Sequence, residues 1–261
     1  MRFHRIIAVL LRYLYEFKRQ GHRLVDVFYW PVVDLLLWGL TSVFVKSFAP
    51  ELPNIVLIIV SGIVFWLFVW RAQSDMSISL LDDLWNKNLI NMFVSPLKFS
   101  EWIISFIILG FLKIIIGFLF AALIAFILYQ VNIFYFGFYL IPFALLLMMT
   151  GWWVGMFVNS LIMRLGSNME TLAWSMVMVI SPFSAIYYPL SILPGWMQKI
   201  SLLVPTSYIF EGARQVIDQG TLDWSKIIIS LALNLIYLLL AIIFLKKSFK
   251  KMLQRGLISL Y

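Results

Sequence analysis

The sequence predicts an all-α integral membrane protein with six transmembrane helices, an N-terminal amphipathic interfacial helix, and an external re-entrant helical hairpin before the last span. Of its 261 residues, 63% are hydrophobic and only 12% are charged, whereas soluble domains average about 25% charged residues. Residues 114–163 form a run of 50 residues without a formal charge. Such a run is typical of membrane helices, because each crossing takes about 20 residues.

The composition excludes several kinds of active site. The chain has no Cys, and its two histidines, His4 and His22, both lie in the N-terminal segment. A thiolate metal site, a cysteine nucleophile and a Ser-His-Asp triad are therefore excluded. A G-x-x-x-x-G-K-[ST] phosphate loop is also missing from the sequence. We predict a chain that is not an enzyme, with no catalytic residue and no metal or cofactor of its own.

Residues 1–23 predict a helix that lies on the membrane surface. They carry six Lys or Arg residues, and apolar residues recur at helical spacing opposite several of these charges. The apolar positions are Phe3, Ile6, Ile7, Leu10, Leu14 and Phe17. This pattern favours an interfacial helix; the alternative is an ordinary solvated helix packed on a soluble domain.

The first two spans are predicted at residues 24–48 and 54–70. The first contains Asp34, which lies deep enough that its carboxylate should face protein or a wet cavity. Two interpretations of Asp34 are open: a structural partner for a neighbouring helix, which we favour, and a proton-coupling carboxylate.

Residues 75–100 form the largest polar break in the chain and predict one or two cytoplasmic helices ending near Pro96. Apolar residues persist at helical spacing there and need a surface to pack against, either in this chain or in a partner. These positions are Leu81, Leu84, Trp85 and Leu89.

The third, fourth and fifth spans are predicted from about residue 102, at 137–163 and at 172–188, with a break near 129–132. Lys113 then lies inside the membrane and needs a partner, for which Asp34 is one candidate. Gly151 and Gly155 form a G-x-x-x-G pair that permits close helix approach, although the motif is frequent by chance.

Residues 181–215 cannot form an ordinary span, because they contain four prolines as well as charged residues. We predict two short helices, at 196–203 and 206–216, that form a re-entrant hairpin with Pro205 at the bend. Trp196, Ile200 and Leu203 should pack inward, and Glu211 and Arg214 should be neighbours near the external surface. The sixth span follows at residues 227–245.

The distribution of basic residues sets the predicted orientation. Fifteen of the 20 Lys and Arg residues fall on the side of the termini, and four lie on or near the other side. The positive-inside rule then places both termini in the cytoplasm. We expect one domain in the cytoplasmic (inner) membrane, made of the interfacial helix, a six-span bundle at 24–245 and a basic tail at 246–261.

The order of these elements resembles the permease subunits of type-2 ATP-binding-cassette (ABC) exporters over nearly the whole chain. The most specific matches are Trp85-x-x-x-Leu89 leading to Ser95-Pro96-Leu97, and Tyr188-Pro189 through Leu193-Pro194, Pro205 and Tyr208 to Gly212-x-Arg214. The first-span runs Phe28-Tyr29-Trp30-Pro31 and Trp38-Gly39 are also similar to bacterial members.

The resemblance implies partners and roles for particular residues. It implies a dimer with itself or a related permease, within membrane lipid, and a separate ABC ATPase that binds ATP and Mg; no nucleic acid is expected. Coupling to the ATPase falls on Asp82, Asp83, Leu84, Trp85 and Leu89. The external gate falls on Pro189, Pro194, Trp196, Pro205, Tyr208, Glu211 and Arg214.

The substrate stays open at this point. A lipid-linked, glycan or hydrophobic substrate moving outward fits the resemblance. The alternative function is an ion- or proton-coupled secondary transporter that uses intramembrane Asp34 and Lys113, although no inverted repeat is evident. A membrane-embedded enzyme acting on lipid is a third class, and the spans offer it no nucleophile–His pair or carboxylate cluster.

Overall fold

The computed structural model describes residues 2–19, 21–52, 54–86, 88–166 and 169–255. All regular secondary structure in these ranges is helical, which confirms the predicted fold class. The α-helices are α1 (Phe3–Arg19), α2 (Gly21–Phe48), α3 (Ile55–Trp85), α4 (Leu89–Val94), α5 (Phe99–Tyr129), α6 (Leu140–Leu165), α7 (Glu170–Ile180), α8 (Gly195–Ser201), α9 (Pro205–Gln219) and α10 (Trp224–Arg255). Short 3₁₀ helices lie at Ile133–Tyr139, Ser181–Phe183 and Leu190–Ile192.

Within the described residues, five helices are long and apolar enough to cross a membrane: α2, α3, α5, α6 and α10. α3 is the central one, packed chiefly on α6, α5 and α2. Every residue of α3 from Ile59 to Val69 is buried. α2 and α10 are largely exposed and lie at the periphery. We call the end of the bundle near α8 and α9 the hairpin end, and the opposite end the α4 end.

The second span is longer than predicted. α3 continues without interruption from Ile55 to Trp85, so the polar break begins only after Trp85. Its polar residues do not end the helix, because Arg71, Gln73 and Ser77 are buried between helices. Gln73, for example, donates from Nε2 to the Ala173 carbonyl at 3.0 Å.

The fifth span is shorter than predicted. α7 has 11 residues, which at about 1.5 Å per residue covers roughly half of a 30 Å hydrocarbon core. The chain then forms the 3₁₀ turn at Ser181–Phe183 and reaches Ala185, whose φ is +57°. The predicted 172–188 span is therefore wrong in its second half, where the chain turns instead of continuing as a helix.

The contact between α3 and α6 depends on two glycines. A Cβ at Gly151 would lie 2.5 Å from the Val69 carbonyl oxygen, and one at Gly155 would lie 3.2 Å from the Gln73 carbonyl oxygen. The G-x-x-x-G pair thus lets the two backbones approach, as the motif permits.

Asn234 joins α10 to α6 and was not predicted from the sequence. It is fully buried. Its Oδ1 accepts from Thr150 Oγ1 at 2.9 Å and from Trp153 Nε1 at 3.1 Å. Its Nδ2 donates to the Leu146 carbonyl at 3.2 Å. Such interhelical hydrogen bonds stabilise helix pairs where lipid offers no partner.

α1 packs part of its apolar surface on the bundle. Ile6 and Tyr13 are buried against α5, whereas Phe3 is 72% exposed and Ile7 is also exposed. The helix is therefore amphipathic as predicted, and its exposed apolar strip suits an interfacial position.

α10 extends to Arg255, so the predicted basic tail begins as a continuation of the last span. Phe249 stacks on Phe99, with ring centroids 4.1 Å apart, and Arg164 Nε donates to Ser248 Oγ at 2.7 Å. Residues 256–261 of the predicted tail lie outside the described residues.

Candidate functional site

The hairpin end contains the two short helices that the sequence predicts. α8 and α9 are separated by a turn, and Pro205 occupies the first position of α9, where a missing N–H costs nothing. The predicted inward packing of α8 is wrong. Trp196, Ile200 and Leu203 are 62%, 40% and 61% exposed, because α8 lies along the surface of the bundle and packs mainly on neighbouring 3₁₀ turns.

Glu211 and Arg214 form an ion pair, as predicted, with 2.8 Å between Glu211 Oε1 and Arg214 Nη1. The pair is not a surface feature, since Arg214 is only 8% exposed. Its Nη2 donates to the carbonyl oxygens of Ala185 and, at 2.8 Å, Tyr188. Glu211 Oε1 also accepts from the Leu190 N–H at 2.9 Å. The pair therefore fixes the loop between α7 and α8 against α9.

Burial lowers the pKa of the Arg214 guanidinium, whereas the negative charges of Glu211 and Asp218 raise it. A buried guanidinium that donates to one carboxylate and two carbonyls holds these groups in one arrangement.

A groove of about 510 Å³ lies between α2, α3, α5 and α7. Asp34 lines it, as do five tryptophans: Trp30, Trp38, Trp66, Trp70 and Trp174. At the hairpin end of the groove, Trp38 stacks on Tyr187 with ring centroids 4.5 Å apart and an interplanar angle of 18°.

A second cavity, of about 730 Å³, opens at the hairpin end. Glu211, Arg214 and Asp218 line it, together with residues of the turn before α3. Tyr187 lines both cavities. Burial and the negative charge of Asp34 raise the pKa of Tyr187 to about 12, so this ring is a neutral phenol between the groove and the outer cavity.

The two predicted intramembrane charges do not meet. Lys113 Nζ lies 3.2 Å from Asp75 Oδ1 instead, and both side chains are nearly buried. Asp75, which the sequence assigned to a cytoplasmic segment, is inside the bundle because α3 continues through it. Asp34 is exposed to the groove and makes no hydrogen bond or ion pair with any described residue.

At the α4 end, Asp83 joins α1 to α3. It is 1% exposed, and its Oδ1 lies 2.8 Å from Arg12 Nη2. The Tyr13 hydroxyl donates to the other carboxylate oxygen. Burial, and then the charge of Asp83, raise the pKa of Tyr13. Asp83 is therefore an internal anchor for α1.

The other predicted coupling residues differ in exposure. Leu84 is buried, Asp82 is partly buried, and Trp85 is 49% exposed at the last position of α3. Leu89 begins α4, and its side chain lies outside the described part of the chain. Among the four coupling residues whose side chains are described, Trp85 is the most exposed and so the most open to a partner.

The remaining predicted gate residues shape the backbone of the hairpin end. Pro189 and Pro194 directly precede the 3₁₀ turn and α8, respectively. The Tyr208 hydroxyl donates to the Leu202 carbonyl at 2.9 Å, which closes α8 onto α9. Burial raises the pKa of Tyr208.

Sequence reasoning missed the tryptophans of the groove as a set, although their spacing gave a signal. Trp30, Asp34 and Trp38 are four residues apart, as are Trp66 and Trp70. Residues four apart share a helix face. The pattern indicates an aromatic face on α2 around Asp34 and another on α3, but only the packing of the helices shows that these two faces line the same groove.

The architecture is a multi-pass helical bundle with a groove between α2, α3, α5 and α7 and a second cavity at the hairpin end. The sequence matches the family described as ABC-2 type transporter over residues 8–217. The chain therefore belongs to this family and is the transmembrane permease subunit of an ABC transporter. A comparison with curated proteins finds no match.

Proposed function

We propose that this permease exports a hydrophobic, lipid-linked or glycan substrate across the cytoplasmic membrane, as a dimer with itself or a related permease. A separate ABC ATPase supplies the energy and binds ATP and Mg. Both termini and the α4 end face the cytoplasm, in keeping with the distribution of basic residues. Membership of the ABC-2 family supports this proposal, since its permeases work with an ABC ATPase, generally as dimers.

The observation that carries the proposal is the exposure of Trp85. Its neighbours Asp83 and Leu84 are 1% and 2% exposed, whereas Trp85 is 49% exposed beside α4. Buried aromatics are frequent anchors of protein interfaces. We assign Trp85 to the contact with the ATPase, and Asp83 to holding α1 and α3 together so that movement there reaches the spans.

In this proposal the substrate moves from the groove, past Tyr187, into the outer cavity. The Glu211–Arg214 pair fixes the carbonyls on both sides of Tyr187. It thereby holds the ring between the two cavities and keeps the path closed at rest. α8 and α9 then form the gate, which opens when this loop is displaced.

The test compares two exposed tryptophans at opposite ends of the bundle. Trp85→Ala should leave the chain inserted in the membrane but reduce co-purification with its ABC ATPase by about tenfold or more, since truncating an interface anchor costs about 2 kcal/mol. The ATPase is identified in the purified complex by its phosphate-loop peptide. Trp196→Ala, in α8, is the matched control and should co-purify normally.

Normal co-purification and normal ATP-dependent transport with Trp85→Ala would remove Trp85 from this role. If no ABC ATPase accompanies the wild-type chain, the proposal of a separate energy-supplying subunit is wrong.

A further inference from the structure

We propose that the groove binds a hydrophobic organic cation, with Asp34 as its counter-ion and the tryptophan rings as its walls. The proposal rests on the proposed function in so far as the bound cation is the exported substrate. The match to the ABC-2 family names no ligand for this groove, and the proposal gives the ligand a chemical class.

The first observation is the isolation of Asp34. It lies in the membrane-spanning part of α2, and it has no hydrogen-bond or ion-pair partner among the described residues. An ionised side chain at such a position is costly unless a partner or a cavity compensates it. Lys113, the basic side chain that the sequence offered, is held by Asp75. The carboxylate is therefore available to a ligand of opposite charge.

The second observation is the kind of side chain around Asp34. Five tryptophans and Tyr187 line the same groove. Tryptophan is the side chain that attracts cations most strongly through its ring face, and aromatic cages recognise quaternary ammonium groups in this way. Trp30 and Trp174 are 51% and 44% exposed, so their rings are open to the groove or its mouth.

The third observation concerns the rest of the wall. The groove holds about 510 Å³, which suits a small molecule, and its other residues include Leu35, Ile63 and Val64. A ligand that fills it therefore needs an apolar body as well as a charge. Arg71 also lines the groove, but its side chain is 2% exposed and already interacts within the protein. The exposed charge in the groove is that of Asp34.

The experiment measures binding of tetraphenylphosphonium to the purified full chain in detergent by equilibrium dialysis. The cation should bind wild-type protein, and Asp34→Asn should weaken binding by about tenfold or more, since it removes the charge and keeps the shape. Trp38→Leu should also weaken it. Tetraphenylborate, which has the same shape and the opposite charge, should bind much more weakly than the cation. Glu51→Gln, an exposed acid in the turn before α3, is the matched control and should bind like wild type.

Equal cation binding by wild type and Asp34→Asn, or equal binding of the borate, would overturn the proposal. So would efficient disulfide formation between two copies carrying Asp34→Cys, because the groove would then be filled by a second copy. These results leave the association with the ATPase untouched. Conversely, loss of that association with cation binding intact would refute the proposed function and leave the site in place.

Discussion

Replacing Arg214 tests whether a buried ion pair holds the loop between α7 and α8. The guanidinium donates to Glu211 at 2.8 Å, to Tyr188 at 2.8 Å and to Ala185, while its Nε has no hydrogen-bond partner among the described residues. Arg214→Ala leaves one carboxylate and two carbonyls without this donor. Breaking a buried pair from one side costs about 3–5 kcal/mol.

The Glu211 side chain is 25% exposed, and water therefore compensates part of the loss. We expect Arg214→Ala to lower the free energy of unfolding by about 3 kcal/mol, at the low end of that range. Glu211→Ala should cost a similar amount, about 3 kcal/mol, since it leaves the buried guanidinium without its carboxylate, although the two carbonyl contacts of Arg214 remain. The double variant should cost less than the sum of the two, because both substitutions remove the same interaction.

Unfolding is followed in mixed micelles by tryptophan fluorescence, and hydrogen exchange of residues 185–190 reports the loop directly. Arg214→Ala should speed exchange there before it affects α3. In reconstituted vesicles the same variant should leak small ions, if Tyr187 closes the path. Lys199→Ala, on the exposed surface of α8, is the control and should change stability by less than about 0.5 kcal/mol. A loss below about 1 kcal/mol for Arg214→Ala, with unchanged exchange, would refute the reasoning.

Two further predictions concern packing and orientation. Gly151→Ala forces a methyl group against Ala72 and the Val69 carbonyl and should lower the free energy of unfolding by about 1–3 kcal/mol. The control, Gly110→Ala, places its methyl group where no atom lies within 4 Å and should be neutral or slightly stabilising. Equal losses in the two variants would contradict the close approach of α3 and α6 at Gly151. The chain has no Cys, so Asn86→Cys should react with an impermeant thiol reagent only from the cytoplasm and Gln198→Cys only from outside; external labelling of Asn86→Cys in intact cells would reverse the proposed orientation.

The elements that the sequence located well are those whose signal is local. Apolar run length predicted the long spans, proline position predicted the start of α9 at Pro205, and a three-residue spacing predicted the Glu211–Arg214 pair. Each depends on neighbours within one or two turns, so no knowledge of the fold was needed.

The wrong predictions concern residues whose surroundings are set by contacts with residues distant in the sequence. The sequence predicted that the helix of the second span breaks before Asp75, but Lys113 and Arg12 neutralise Asp75 and Asp83, and α3 continues to Trp85. The sequence predicted that Trp196 packs inward, but α8 lies on the surface of the bundle and Trp196 is exposed.

By itself, the sequence determined that this chain is a helical membrane protein and where most of its spans lie, because the free-energy cost of exposing an apolar run to water depends on that run alone. The order of these elements along the chain also revealed the resemblance to a family. Only the tertiary structure decided that Lys113 contacts Asp75, that Arg214 donates to the carbonyls of the loop before α8, and that Asp34, beside tryptophans from three helices, has no ion-pair partner among the described residues. A charge inside a membrane must find a partner wherever packing brings one within reach, and that distance is set by how the helices meet.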